Sequence, residues 1–86
     1  MRLRRKPFGF HRGVSYRARM TFKVEIEREE DGRWIAEVQE LPGVLVYGDS
    51  AEQARAKAQA LALRVLADRL ENGEAPPFES VLFAAA

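Results

Sequence analysis

Two chain-reversing signals with only four residues between them constrain this chain more than any other feature. In ELPGVLVYGDS, residues 40–50, Leu41-Pro42-Gly43 closes one element and Gly48-Asp49-Ser50 opens another. Proline presets the backbone for a turn and glycine accepts conformations closed to other residues. The Val44–Tyr47 stretch between them is long enough for one short strand and nothing else. The glycines therefore read as punctuation of a fold and not as a ligand loop; Gly43 and Gly48 do not form a phosphate-cradling pattern.

The flanking sequence supplies the elements that this punctuation separates. TFKVEIER, from Thr21, alternates Phe22, Val24 and Ile26 on one face with Lys23, Glu25 and Glu27 on the other, the period of a strand. Asp31-Gly32 is a hairpin signal. WIAEVQEL is the returning strand, with Trp34, Ala36 and Val38 on one face. VLVYG is a third strand, apolar on both faces, so that both sides are expected to be covered or one to meet a partner. Ser50 and Gln53 then form a capping box for a helix, with Asp49 and Glu52 at the positive end of its dipole. Gly73 suits the left-handed stop and Pro76-Pro77 prevent continuation. Ala54, Ala58, Leu61, Ala62 and Val65 make the expected core stripe, whose small residues let the helix lie close to a sheet. FESVLFA closes the chain as a fourth strand, with Val81 and Phe83 on one face and Phe78, Ser80 and Leu82 on the other.

The order β-β-β-α-β predicts an α+β two-layer sandwich. A strand entering after the helix runs parallel to the first, and a right-handed crossover sets it beside that strand. The expected mixed sheet has order 3-2-1-4, with one helix on one face.

At 86 residues the chain allows one small domain. The absence of cysteine excludes disulfides and thiolate-held zinc, and a single histidine, His11, argues against a histidine metal cluster. No apolar run approaches the roughly 20 residues of a membrane span, and the basic N-terminus lacks the apolar stretch of a secretory signal. A cytoplasmic protein without membrane association or cofactor is expected.

Net charge +1 conceals an asymmetry: residues 1–19 hold seven basic side chains and no acid, whereas residues 20–86 hold seven basic and thirteen acidic ones, summing to −6. The chain divides into a basic N-terminal extension, 1–19, and an acidic domain, 20–86. In the extension Arg2, Arg4, Arg5, Lys6 and Arg12 are interleaved with Phe8, Phe10 and Tyr16. Three readings stand beside one another: an arm that holds phosphates and stacks on bases, a segment packed on the body or on a second subunit, or a start placed upstream of a natural one at Met20.

The topology also resembles the core of ribonuclease H, whose carboxylates hold two divalent metals. Glu25 or Glu27, Glu52 and Glu79 are the residues that a nuclease would need. Alternating glutamates are the ordinary solvated face of an amphipathic strand, however, and Glu52 suits the helix dipole. With no serine–histidine constellation either, no catalytic residue and no metal ligand is expected.

The combination FKVEIEREEDGRWIAEVQELPGVLVYGDSAEQARAKAQ resembles the HicB-like antitoxin family. The features that carry the likeness are the amphipathic first strand, Asp31-Gly32, Trp34, Ala36-Glu37-Val38, the paired Leu41-Pro42-Gly43 and Gly48-Asp49-Ser50, and Glu52-Gln53-Ala54. The likeness is strong over residues 20–72 and looser in the last strand. It implies an incomplete ribonuclease-H-like fold without catalytic residues. It also implies neutralisation of a small basic, RNA-cleaving HicA-type toxin by protein–protein contact. Many family members carry a C-terminal DNA-binding domain; this chain stops after the fourth strand and departs from that pattern, which puts autoregulation by such a domain in doubt.

Partner contacts are expected at Glu25, Glu27, Glu37 and Glu40, since complementary charge speeds and selects encounter. The apolar third strand and a second helix stripe of Ala56, Ala60, Leu63, Ala67 and Leu70 point to a homodimer or higher homo-oligomer through Leu45, Tyr47, Leu63, Ala67 and Leu70. The alternatives are nucleic-acid binding through Arg2, Arg4, Arg5, Lys6 and Arg12, and an orphan dimer of unassigned role.

Overall fold

The computed structural model describes residues 18–86. Its elements are strands β1 (Arg19–Arg28), β2 (Trp34–Val38) and β3 (Leu45–Gly48), helix α1 (Ala51–Glu71) and strand β4 (Ser80–Ala85). They form one mixed sheet in the order β3-β2-β1-β4, with β4 parallel to β1 and the other pairs antiparallel. The architecture is the expected α+β sandwich with one helix on one face. β1 begins at Arg19, the last residue assigned to the extension, because β4 supplies Ser80 and Val81 as partners for Arg19 and Met20.

Burial follows the alternation of each strand. Phe22 and Val24 from β1, Ala36 and Val38 from β2, and Val44 beside β3 are buried beneath α1. The helix contributes Ala54, Ala58, Ala62 and Leu66. The buried line thus advances by four residues at each step and takes in Leu66, which the expected stripe omitted. Leu61 and Val65, placed in that stripe, are half-buried flanks. A row of i, i+4 side chains is a natural ridge of a helix surface, and three consecutive alanines on it bring the helix axis close to the strands.

The turns explain the spacing around Leu41. β2 ends at Val38, three residues short of the expected limit, because two turns follow in succession. The Leu41 amide donates to the Val38 carbonyl at 3.1 Å, and the Val44 amide to the Leu41 carbonyl at 3.1 Å. In the second, Pro42 and Gly43 hold the central positions, and Gly43 has φ +92°. Proline followed by a residue of positive φ is the type II arrangement. Leu41, the pivot between the turns, is buried at 2% exposure. Further back, the Gly32 amide donates to the Glu29 carbonyl and the Glu29 amide to the Arg33 carbonyl. This closes a three-residue hairpin loop with Gly32 in the left-handed position.

Asp31 locks that loop by accepting from the Arg33 amide at 3.0 Å and from Arg33 Nε at 2.8 Å. The amide bond first, and the guanidinium with it, lower its carboxyl below the ordinary 3.8. A depressed carboxyl contributes stability that is fully present above its unfolded value and is lost as the pH falls through the folded one. The loop contribution is therefore expected to be intact above about pH 4 and to fade below it. Carbon-detected NMR titration of Asp31 should give a midpoint under 3.8 that returns toward it in Arg33→Ala. The side chain is exposed, so the effect on global stability is small.

Both helix ends are closed. Ser50 Oγ accepts from the Gln53 amide at 3.0 Å, and Gln53 Oε1 reaches back to the Asp49 amide at 2.7 Å, one residue beyond the cap. At the other end the Gly73 amide donates to the Leu70 carbonyl and the Glu74 amide to the Arg69 carbonyl, with Gly73 at φ +72°. This is the Schellman pattern. Ser50→Ala is expected to lower stability by about 1 kcal/mol, the ordinary cost of an N-cap, measurable as a shifted urea midpoint with unchanged slope.

Candidate protein-docking face

The sheet has one face under α1 and one open. Because β-strand side chains alternate, the open face carries Arg19, Thr21, Lys23, Glu25 and Glu27 from β1, Ile35 and Glu37 from β2, Leu45 and Tyr47 from β3, and Leu82 from β4. Two cross-strand rows define its chemistry. Leu45 pairs with Glu37, and Glu37 with Glu25; Tyr47 pairs with Ile35, and Ile35 with Glu27. An acidic centre is thus bordered by apolar side chains. A shallow depression of about 150 Å³ lies there, lined by Glu25, Glu27, Glu29, Ile35 and Glu37.

Glu25 and Glu37 stand directly opposite one another. Like charges in that position destabilise a sheet. The relief visible is one hydrogen bond, from Gln39 Nε2 to Glu25 Oε1 at 2.9 Å. Among the described residues there are two ion pairs, Arg19–Glu79 and Arg33–Asp31, and neither involves these glutamates. Lys23 lies on the same face, two residues along β1 from Glu25, the Arg33 guanidinium lies 4.3 Å from the Tyr47 ring centroid at the β3 side, and Arg28 sits over Trp34 on the helix side.

Of the four expected partner residues, Glu25, Glu27 and Glu37 come together on this face. Glu40 differs: both its carboxylate oxygens accept from the Lys23 amide at 3.3 Å, so it caps the backbone of β1 where β2 has turned away. The expected oligomer residues do not converge. Leu45 (45% exposed) and Tyr47 (40%) lie on the open face, whereas Leu63 (49%) and Ala67 are exposed on the far side of α1. Leu70 is half-buried. No single two-fold interface uses both groups. Arg2, Arg4, Arg5, Lys6, Arg12 and His11 lie outside the described residues.

The carboxylates weighed for a nuclease are also separated. Glu25 and Glu27 occupy the open face and Glu52 the first turn of α1 across the sheet, while Glu79 precedes β4 and pairs with Arg19 at 3.5 Å. Among the described residues no group of three or more histidine, cysteine, aspartate or glutamate side chains is placed to hold a metal ion. No helix among them is long and apolar enough to cross a membrane. Two features escaped the sequence reading. One is the pairing of Glu25 with Glu37, which needs the hairpin register. The other is Leu82, at 59% the most exposed large apolar side chain of those described.

No protein-family model, no curated protein and no solved structure matches this chain.

Proposed function

We propose that this domain is a non-catalytic, antitoxin-like binding module that neutralises a small basic RNA-cleaving protein of the HicA type. The open sheet face covers the surface with which that protein grips RNA. The observation that carries the reading is the like-charge pair Glu25–Glu37, held opposite one another on an exposed face at a cost to the fold. A sheet selected for stability alone would place opposite charges there. A surface that must receive cationic side chains places carboxylates there, because the incoming charge removes the repulsion.

The surroundings support the same reading. Residues 20–86 sum to −6, which steers a basic partner toward the domain. Leu45, Tyr47 and Ile35 border the carboxylates and supply the apolar contact that holds an interface once charge has oriented it. A toxin that binds phosphates through arginines and lysines meets carboxylates in their place and is shut off by occupation. The reading assigns no catalytic residue, cofactor or metal.

The test is co-expression with small basic RNA-cleaving proteins of the HicA type, beginning with any that is encoded beside this chain. The expected result is a stable complex with one of them and rescue of growth from its toxicity. Neither complex nor rescue would refute the reading for this chain.

A further inference from the structure

We propose that the basic N-terminal extension docks in cis on the open face of the sheet, its cations on the acidic centre, where it competes with any basic partner for the same carboxylates. Residues 1–17 carry six basic side chains and no acid, and they join the described chain at Ala18. That junction is fixed beside β4: the Ala18 carbonyl accepts from the Glu79 amide at 2.7 Å, and Arg19 pairs with Ser80. The extension therefore enters at one end of the open face. The competition rests on the function proposed above; the docking does not.

The chemistry of the face changes along β1, and that of the extension changes in step. Nearest the junction the face presents Thr21 and Leu82 with Arg19 and Lys23; beyond them come Glu25, Glu27 and Glu37. Counted back from Ala18, the extension presents Tyr16, Val14, Phe10 and Phe8 before the cluster Arg2, Arg4, Arg5 and Lys6. Laid along the face, its apolar side chains meet Leu82, 59% exposed and two strand positions from Arg19–Ser80, and its cluster meets the carboxylates. Arg19 and Lys23 repel a cation that stops short of them. Reach decides which cations arrive. Arg19 to Glu25 is six residues of strand, about 20 Å. The twelve residues from Lys6 to Ala18 span up to about 40 Å, enough to reverse direction and cover that distance. Arg12, six residues from Ala18, covers it only at full extension. Pairs between exposed charges are individually weak, but a tether within one chain holds the cluster at an effective concentration of about millimolar order. The arriving cations also relieve the repulsion between Glu25 and Glu37. A partner must displace the extension, so a face covered in about nine molecules of ten lowers its apparent affinity about tenfold.

The chain has no cysteine, so a spin label on Leu3→Cys in the full chain is unique. At low salt it is expected to broaden the amide NMR signals of Glu25, Glu27, Ile35 and Glu37 and to leave Leu63–Ala67, on the far side of α1, sharp. The broadening is expected to vanish at about 1 M salt, where the screening length is about 3 Å, and in the Glu25→Gln, Glu37→Gln double variant. No broadening, uniform broadening or broadening centred on α1 overturns the docking. Broadening that survives both the salt and the double variant overturns the pairing of the cluster with these carboxylates. Labelled chains without nitrogen-15 are then mixed with unlabelled nitrogen-15 chains. Sharp signals are expected, and broadening there shows a second copy supplying the extension and overturns the arrangement in cis. None of these measurements needs a partner. The HicA-type protein that co-expression selects, added at saturation, is expected to abolish the broadening; its persistence overturns the competition alone.

Discussion

Gly48→Ala is expected to lower stability by about 3 kcal/mol, the upper end of what overpacking costs. A Cβ at Gly48 would meet the Ala54 amide nitrogen at 2.6 Å, its Cα at 2.8 Å and its Cβ at 3.1 Å. Two of those three atoms are helix backbone, which cannot rotate aside. The first turn of α1 must move off β3, and with it Ala54 and Ala58, both fully buried. In a domain of this size the loss lowers the melting temperature on the order of 15 °C. Gly43→Ala separates steric from conformational cause. Nothing lies within 4 Å of a Cβ there, but φ is +92°. Its cost is backbone strain alone, about 1 kcal/mol. Thermal and urea unfolding of both variants check the order; equal losses would show that α1 does not lie as close to β3 as described.

Glu37→Lys is expected to strengthen the fold and weaken the function. Opposite Glu25 it replaces a repulsive cross-strand pair by an attractive one, a gain of about 0.5 kcal/mol. The same change sets a cation where the proposed partner brings its own. Reversing one charge at a close interfacial pair should weaken the complex on the order of 100-fold. Opposite signs for the two effects are the useful feature, because a variant that merely damages the domain loses both. Urea titration and calorimetric binding, run on the same preparation, read the two terms. A gain in stability with affinity unchanged would place the partner elsewhere than on Glu37.

The caps and turns were legible in the sequence because each is closed by residues within a few positions: Ser50 with Gln53, Pro42 with Gly43, Gly73 with Leu70 and Arg69. The alternation of β1 gave its inner and outer faces for the same reason. Leu66 was missed because the tilt of a helix on a sheet decides whether the buried line drifts or advances by fours. That tilt is set by Gly48 and the alanines acting together. The faces of Glu25 and Glu37 were readable separately, but their opposition was not, since it depends on the hairpin loop holding three residues. The expected dimer residues divide between β3, with Leu45 and Tyr47, and the second stripe of α1, with Leu63, Ala67 and Leu70, and these lie on opposite sides of the sandwich. The placement of α1 over β3, β2 and β1 is what separates the two groups, a consequence of packing that no local pattern carries.

The central claim is that the open face, and not α1, receives the partner. Amide NMR of the labelled domain, titrated with the HicA-type protein that co-expression selects, tests this most directly. The account predicts the largest shifts at Lys23–Arg28, Ile35–Gln39 and Leu45–Tyr47, with α1 outside its first turn nearly unmoved. Shifts centred on Leu63, Ala67 and Leu70 instead, or no shift at saturating partner, would contradict it.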